Sequence, residues 1–333
     1  MTRRLTQQDI ARIAGVSQAT VSLVLNNRQD GSVRIAARTR ARVLEVIKKT
    51  GYVADPVART MHGRRNRILG VFTYEAVFPS GNTDFYYPFL AGIEEQAEEI
   101  GCDLLLFTSA TAAGSRRRIF SDDSRVRLAD GCLLLGRTVD RDDLAQLIAE
   151  GIPFVSIGRR DDAGGPVPHV GVDYRAAVRD LVGQAAALGH RTLAYVGVGE
   201  GAESSSDRLR GFRDAVNEHG VLGVHLVKAA LDDLRTIGAT AALTEENADG
   251  AALVLEARAR DLQVPGDLSV LTLGAATRPT PPDVDLTGFH IPRRAMGRRA
   301  VQLLTDLLEN GTTPQEMLPC EPVEGSTLSA PRD

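Results

Sequence analysis

Several stretches of this 333-residue sequence carry side chains that could do chemistry, and each implies a different kind. Gly197, Gly199 and Ala202 satisfy the G-x-G-x-x-A spacing with which a turn after a strand cradles a pyrophosphate. Glu200 and Glu203 would set carboxylates against that anion, however, and several residues intervene before the next helix, so the stretch argues against nucleotide binding. Ser204–Ser206 supply hydroxyls but have no partner His and Asp in an identifiable nucleophile setting, which favours a pocket rim over acyl transfer. Cys102, Cys132 and Cys320 are far apart and lack a C-x-x-C pair, so they read as small buried apolar residues rather than a disulfide framework or zinc site. The six histidines show neither H-x-x-x-H nor H-E-x-x-H. No metal, no cofactor and no convergent catalytic set is expected, and the chain reads as a non-enzyme.

Charge gives a more positive signal. Residues 1–67 hold 14 Lys and Arg against four acids, a net of +10, whereas the whole chain carries −4, which leaves −14 for the remainder. A small basic unit joined to an acidic body suggests a head that binds a polyanion. With 43% hydrophobic and 25% charged residues, the composition is that of a globular protein long enough for two or three domains. No run approaches the roughly 18–20 apolar residues of a membrane span, and Met1–Arg4 lead into polar residues rather than a signal core. A cytoplasmic protein without membrane contact is expected.

The elements that would position such a head are legible from Thr6 onward. Thr6 is a good N-cap with Asp9 three residues later, and Ile10, Ile13 and Ala14 give the first helix an apolar face. Gly15 permits a sharp turn, and Ser17 can cap a second helix running to about Leu25, with Val16, Val21, Val24 and Leu25 inward. A small residue at 11, Gly at 15 and a β-branched residue at 21 are the spacing of a helix-turn-helix. A third helix, with Val43, Val46 and Ile47 inward, ends at Gly51, and a short linker helix opens at Asp55-Pro56 and closes at Gly63.

DIARIAGVSQATVSLVLN followed by GYVADPVARTM resembles the lac repressor family of bacterial transcription factors. The resemblance implies a sequence-specific regulator, most simply a repressor, bound to a palindromic double-stranded operator as a homodimer, with a higher oligomer left open. It places Gln18, Ala19 and Leu23 where the family reads base edges. It places Thr6, Ser17, Thr20, Ser22 and Asn26 on phosphates, and Ala58 and Met61 in the minor groove. Gln can bond adenine bidentately, whereas Ala and Leu can only meet thymine methyls or fill space. Asp55 departs from the family's usual linker and adds a negative charge near DNA.

From Ile68 onward short apolar strands alternate with amphipathic helices, which means βαβ units and parallel sheets. The fold class expected is therefore an α-helical helix-turn-helix head plus an α/β, two-lobed, periplasmic-binding-protein-like domain of doubly wound parallel sheets. The expected division is residues 1–54 for the head, 55–67 for the hinge and 68–333 for the sensor and dimer body. Within the body, lobe 1 takes about 68–160 and 291–319, and lobe 2 about 161–290 and 320–333. By the resemblance, Arg208 lies on the cleft wall, and Tyr74, Tyr86, Glu246 and Asn247 are further candidates for binding a small-molecule effector, a sugar or sugar derivative. Core packing accounts equally well for the aromatics Tyr74, Phe85, Tyr86 and Tyr87. Relatives carry Asn-Asp where this chain has Glu246-Asn247, and Asp where it has Gly274-Ala275. A regulator with a non-sugar effector, or with none, is thus the alternative. A solute-binding protein would show an export signal and no basic head, the reverse of what is written here.

Overall fold

A computed structural model of the chain describes all residues except 1–4, 26–34, 53–65, 76–84, 109–111, 114–115, 121–124, 282 and 333. The chain folds as two units, Met1–Asn66 and Arg67–Asp333. In the first, helix α1 (Gln7–Ala14) opens with a capping box in which the Thr6 hydroxyl accepts from Asp9 N and the Asp9 carboxylate accepts from Thr6 N. Gly15 ends it at φ +62°, a conformation a side chain would strain. Ser17 Oγ then accepts from Thr20 N at 3.2 Å and starts α2 (Gln18–Leu25). Helix α3 (Ala37–Thr50) covers both, and the core is Ile10, Ala11, Ala14, Val21, Val24 and Val43.

Ile13 corrects the expected apolar face, because it is 52% exposed while Ala11 is buried. At 100° per residue, Ile10, Ala11 and Ala14 share one stripe and Ile13 lies off it. Asn26 and the whole of the expected linker helix, with Ala58 and Met61, fall outside the described residues.

The second unit has two six-stranded sheets. The first contains β1 (Ile68–Thr73), β2 (Asp103–Phe107), β5 (Gly131–Leu135), β6 (Phe154–Ile157), β7 (His169–Val172) and β13 (Gln315–Leu318), in the order β13-β7-β6-β5-β1-β2 and all parallel. A short antiparallel pair, β3 (Ala112–Ala113) and β4 (Arg116–Arg117), lies outside it. The second sheet contains β8 (Thr192–Val196), β9 (Leu222–Leu226), β10 (Ala241–Glu246), β11 (Ser269–Ala275), β12 (Thr287–His290) and β14 (Glu321–Val323). Its order is β14-β12-β11-β10-β8-β9, and only β14 runs antiparallel, on the edge.

Strands such as β5 and β11 are buried along their whole length, as expected where helices cover both faces of a sheet. On one face of the first sheet, α4 (Tyr87–Ile100) and α10 (Arg293–Asn310) bury Ile93, Ala300, Val301 and Leu304 against Leu69, Leu133 and Val155. On the other, α5 (Arg141–Ala149) brings Leu144 and Leu147 to Phe72, Leu134 and Phe154. The second sheet is wrapped in the same way by α6 (Tyr174–Ala187) and α7 (Glu203–Glu218) on one side, and by α8 (Leu231–Thr236) and α9 (Asn247–Ala259) on the other. Helices α4 and α10 meet at glycines. A Cβ on Gly92 would stand 2.0 Å from the Arg294 carbonyl oxygen, and one on Gly297 would stand 2.2 Å from that of Phe89.

The chain passes between the lobes three times: after Val172, between His290 and Arg293, and between Leu318 and Glu321. The first passage differs from the sequence-based division, which ended lobe 1 near residue 160. Strand β7 pairs with β6 and β13 and so belongs to the first sheet. His169–Val172 is too short to show a period, and its outer partner Gln315–Leu318 arrives only near the end of the chain.

Candidate nucleic-acid interface and inter-lobe cleft

On α2 the core residues Val21 and Val24 define one side; by helical geometry Ala19, Ser22 and Leu23 fall on the opposite one, and Gln18 flanks it on the side of α1. Gln18 and Ala19 are exposed and Leu23 is half-buried. Gln18 Nε2 donates to Gln7 Oε1 at 2.9 Å, which fixes the direction of a side chain otherwise free to swing. Thr6, Ser17 and Thr20 bring hydroxyls to the N-terminal ends of α1 and α2, where the positive helix ends favour anions. The face therefore combines one bidentate donor–acceptor, two apolar side chains and flanking hydroxyls, the set that major-groove reading and phosphate anchoring require.

Between the two lobes lies a cleft that is partly open to solvent. Its walls are the C-terminal ends of strands and the helix starts that follow them, where doubly wound sheets bind ligands. Two consecutive arginines after β6 reach across it. Arg159 donates to both oxygens of Asp207 on α7, at 2.6 and 3.0 Å, and to Asp161 at 2.7 Å. Arg160, buried, donates to Glu203 of α7 at 2.7 Å and to the Gly136 carbonyl at 2.6 Å. The Arg159 guanidinium holds the Asp161 carboxyl below its ordinary range.

Arg208 is 2% exposed. It donates from Nε to the Leu273 carbonyl at 2.8 Å and from Nη1 to that of Ser204 at 3.0 Å, and lies 3.8 Å over the Tyr174 ring. Arg293, at the start of α10, donates to the Gly274 carbonyl at 3.1 Å and faces the Phe85 ring at 5.1 Å.

Glu245 explains the glycine-rich turn. Its buried carboxylate accepts from Tyr195 OH at 3.1 Å, from Gly199 N at 3.3 Å and from the Ser205 hydroxyl. A carboxylate thus occupies the turn that a pyrophosphate would need, and a Cβ on Gly197 would meet it at 2.6 Å. No cluster of His, Cys, Asp or Glu suited to a metal is found among the described residues, and no helix among them is long and apolar enough to cross a membrane. Cys132 is buried, which pushes its thiol up to about 12; Cys102 and Cys320 are half-buried.

Residues 6–55 match the model of bacterial regulatory proteins of the lacI family, and residues 182–328 match a periplasmic binding protein-like domain. The HTH-type transcriptional regulator Rv3575c of Mycobacterium tuberculosis is 30% identical, the match covering 99% of this chain and 98% of that one. The chain belongs to the lacI family. It is a transcriptional regulator of that family, as are relatives such as catabolite control protein A of Priestia megaterium, 26% identical over 92% of this chain and 94% of the relative. Among solved structures, the lac repressor dimer bound to operator and the anti-inducer ONPF matches with a TM-score of 0.71 at 20% identity, covering 98% of this chain and 100% of that one. A CelR–cellobiose complex matches at 0.57 and 24%, covering 98% and 100%. These two likenesses concern the fold: the helix-turn-helix and the two-lobed α/β body.

Within this lacI-family body, three of the residues expected at the effector site lie elsewhere. Tyr74 is 1% exposed and packs edge-on to Phe72 in the core beneath β5, because its position at the end of β1 turns it to the sheet's inner face. Glu246 accepts from Thr277 N at 3.1 Å, and Asn247 accepts from the Thr272 hydroxyl; neither lines the cavity. Alternation along β10 puts Glu245 on the cavity side instead. Arg208 and Tyr86 do line it, although the Tyr86 hydroxyl donates to Glu75. Exposed Tyr87 is not in the lining, whereas Phe85 is. Sequence reasoning missed Arg159, Arg160, Tyr174, Asp207, Glu245 and Arg293. The available signal was position: Arg159-Arg160 follow the buried run FVSI and one glycine at the carboxyl end of a parallel strand.

Proposed function

We propose that this lacI-family regulator is a homodimeric repressor that binds a palindromic operator through Gln18, Ala19 and Leu23. Thr6, Ser17, Thr20, Ser22 and Asn26 anchor phosphates, and Ala58 and Met61 enter the minor groove from a hinge at 55–67. It acts in the cytoplasm and catalyses no reaction. The observation that carries this reading is the face of α2 that bears Ala19, Ser22 and Leu23 away from the head's core, flanked by Gln18, which is bonded to Gln7. A small molecule in the inter-lobe cleft, contacting Arg208 and Tyr86, sets operator affinity. CelR with cellobiose, a structural neighbour, supports a saccharide-sized occupant.

A mobility-shift assay on DNA upstream of the chain's own gene is expected to show one palindromic site, bound by two copies and weakened steeply by salt. Failure to find any specific site across genomic fragments overturns the reading. A regulator with a non-sugar effector, or none, is the second reading, and the engagement of Glu246 by Thr277 and of Asn247 by Thr272 favours it, since neither side chain faces the cavity.

A further inference from the structure

Five arginines line the cleft: Arg137, Arg159, Arg160, Arg208 and Arg293. The acids near them are mostly committed. Asp207 is taken by Arg159 and Glu203 by Arg160, Glu245 already accepts three hydrogen bonds, and Glu246 binds Thr277. Among the described residues, no carboxylate forms an ion pair with Arg208 or Arg293; their guanidinium groups donate to backbone carbonyls, with Tyr174 also beside Arg208, and rest on aromatic rings. The Arg293 Nε is buried without a hydrogen-bond partner. A guanidinium whose buried Nε has no acceptor and which has no ion-pair partner is costly unless something supplies the missing acceptor.

We propose that the cleft takes an oxyanion, the phosphate or carboxylate group of a small organic molecule, held between the guanidinium groups of Arg208 and Arg293. The inference rests on the effector reading above and names its chemical class. Guanidinium forks suit such groups because two parallel N–H donors match two oxygens. The rings of Phe85 and Tyr174, beneath the two guanidinium groups, leave the charged edges for the ligand. Arg293 stands at the start of a first-lobe helix and Arg208 on a second-lobe helix, so one anion touching both would draw the lobes together. Burial, with the nearby Arg208 charge adding to it, lowers the proton affinity of Arg293.

The test uses the full chain in Tris–chloride at constant ionic strength. Inorganic phosphate or acetate, exchanged for chloride, is expected to raise the thermal midpoint by about 2–4 °C per kcal/mol of linkage. The more effective of the two identifies which oxyanion the site prefers. Arg293→Met is expected to abolish that shift and, in chloride alone, to melt higher than the parent because it removes an uncompensated charge. Arg293→Lys is expected to keep part of the shift. Absence of a shift in the parent, an equal shift in Arg293→Met, or a lower chloride midpoint for Arg293→Met overturns the assignment.

Glucose and glucose 6-phosphate then separate this proposal from the reading beneath it. The phosphate ester alone is expected to change operator affinity, by about 5- to 150-fold for a coupling of 1–3 kcal/mol. A response to glucose alone overturns the anion and leaves effector control standing. Phosphate binding that never alters operator affinity keeps the anion site and overturns effector control.

Discussion

Gln18 and Glu245 show how differently single residues carry function here. The amide of Gln18 can bond adenine bidentately, and Gln7 aims it. Gln18→Ala is expected to relax specificity at one base pair, at a cost of about 1–3 kcal/mol, in competition binding against operators altered one pair at a time. Uniform weakening across all operators would remove Gln18 from the readers. Glu245 works inward: its carboxylate gathers a tyrosine, a serine and a backbone N–H from three segments. Glu245→Gln turns an acceptor into an amide whose NH₂ faces donors. A loss of about 2–3 kcal/mol in urea unfolding is the expected result. Gln18 and Arg208 were legible because each sits in a motif with fixed spacing. Glu245 and Arg293 were not, because what distinguishes them is burial among partners that the sequence keeps far apart.

Among the elements, the contact of α4 with α10 depends on the absence of two side chains. Gly297→Ala would push a methyl group into the Phe89 carbonyl, and the helices would have to separate. A loss of at least about 1–3 kcal/mol is expected, and a neutral result in denaturant titration would show that the helices part freely. Helix α6 ends close to His190, which ties the C-terminal segment to the second sheet: Nε2 lies 2.9 Å from the Ser329 carbonyl and Nδ1 2.8 Å from the Thr240 hydroxyl. A carbonyl can only accept, so Nε2 carries the proton and Nδ1 receives one from Thr240 in the neutral ring. Burial lowers the pKa of His190, and likewise that of His169.

The unfolded chain takes up these protons near the ordinary value of about 6.5, whereas the folded chain resists them. Stability from the two rings is therefore complete above about pH 6.5 and declines as pH falls toward their lowered folded values. Thermal midpoints measured from pH 8 to 5 should drop below pH 6.5, and His190→Gln should flatten part of that drop. The central strands of both sheets were readable as unbroken apolar runs, since both their faces are covered. Strand β7 was not, because a four-residue strand is too short to display a period and owes its place to β6 and β13.

At the scale of the whole chain, the basic head and acidic body were visible as a change of charge, and the two-lobed class as an alternation of periods. The position of the first passage between lobes was not visible, since only sheet pairing reveals it. The ion pairs of Arg159 with Asp207 and of Arg160 with Glu203 span the lobes, so they weight the closed arrangement. Asp207→Asn weakens a bidentate pair to a partly buried arginine. It is expected to change operator affinity without any added ligand, read by mobility shift, and to increase the radius of gyration measured by solution scattering. An unchanged radius and affinity would mean that the pairs do not bias the lobes.

The three passages between lobes also set an order of events during synthesis. The head is complete once residue 66 has left the ribosome, but the first sheet waits for β13 and the second for β14, both near the end of the chain. For most of translation a finished head is therefore tethered to two half-built sheets with bare Val and Leu faces, the state most exposed to aggregation. A message cut short before Leu318 would yield a folded head with neither lobe closed.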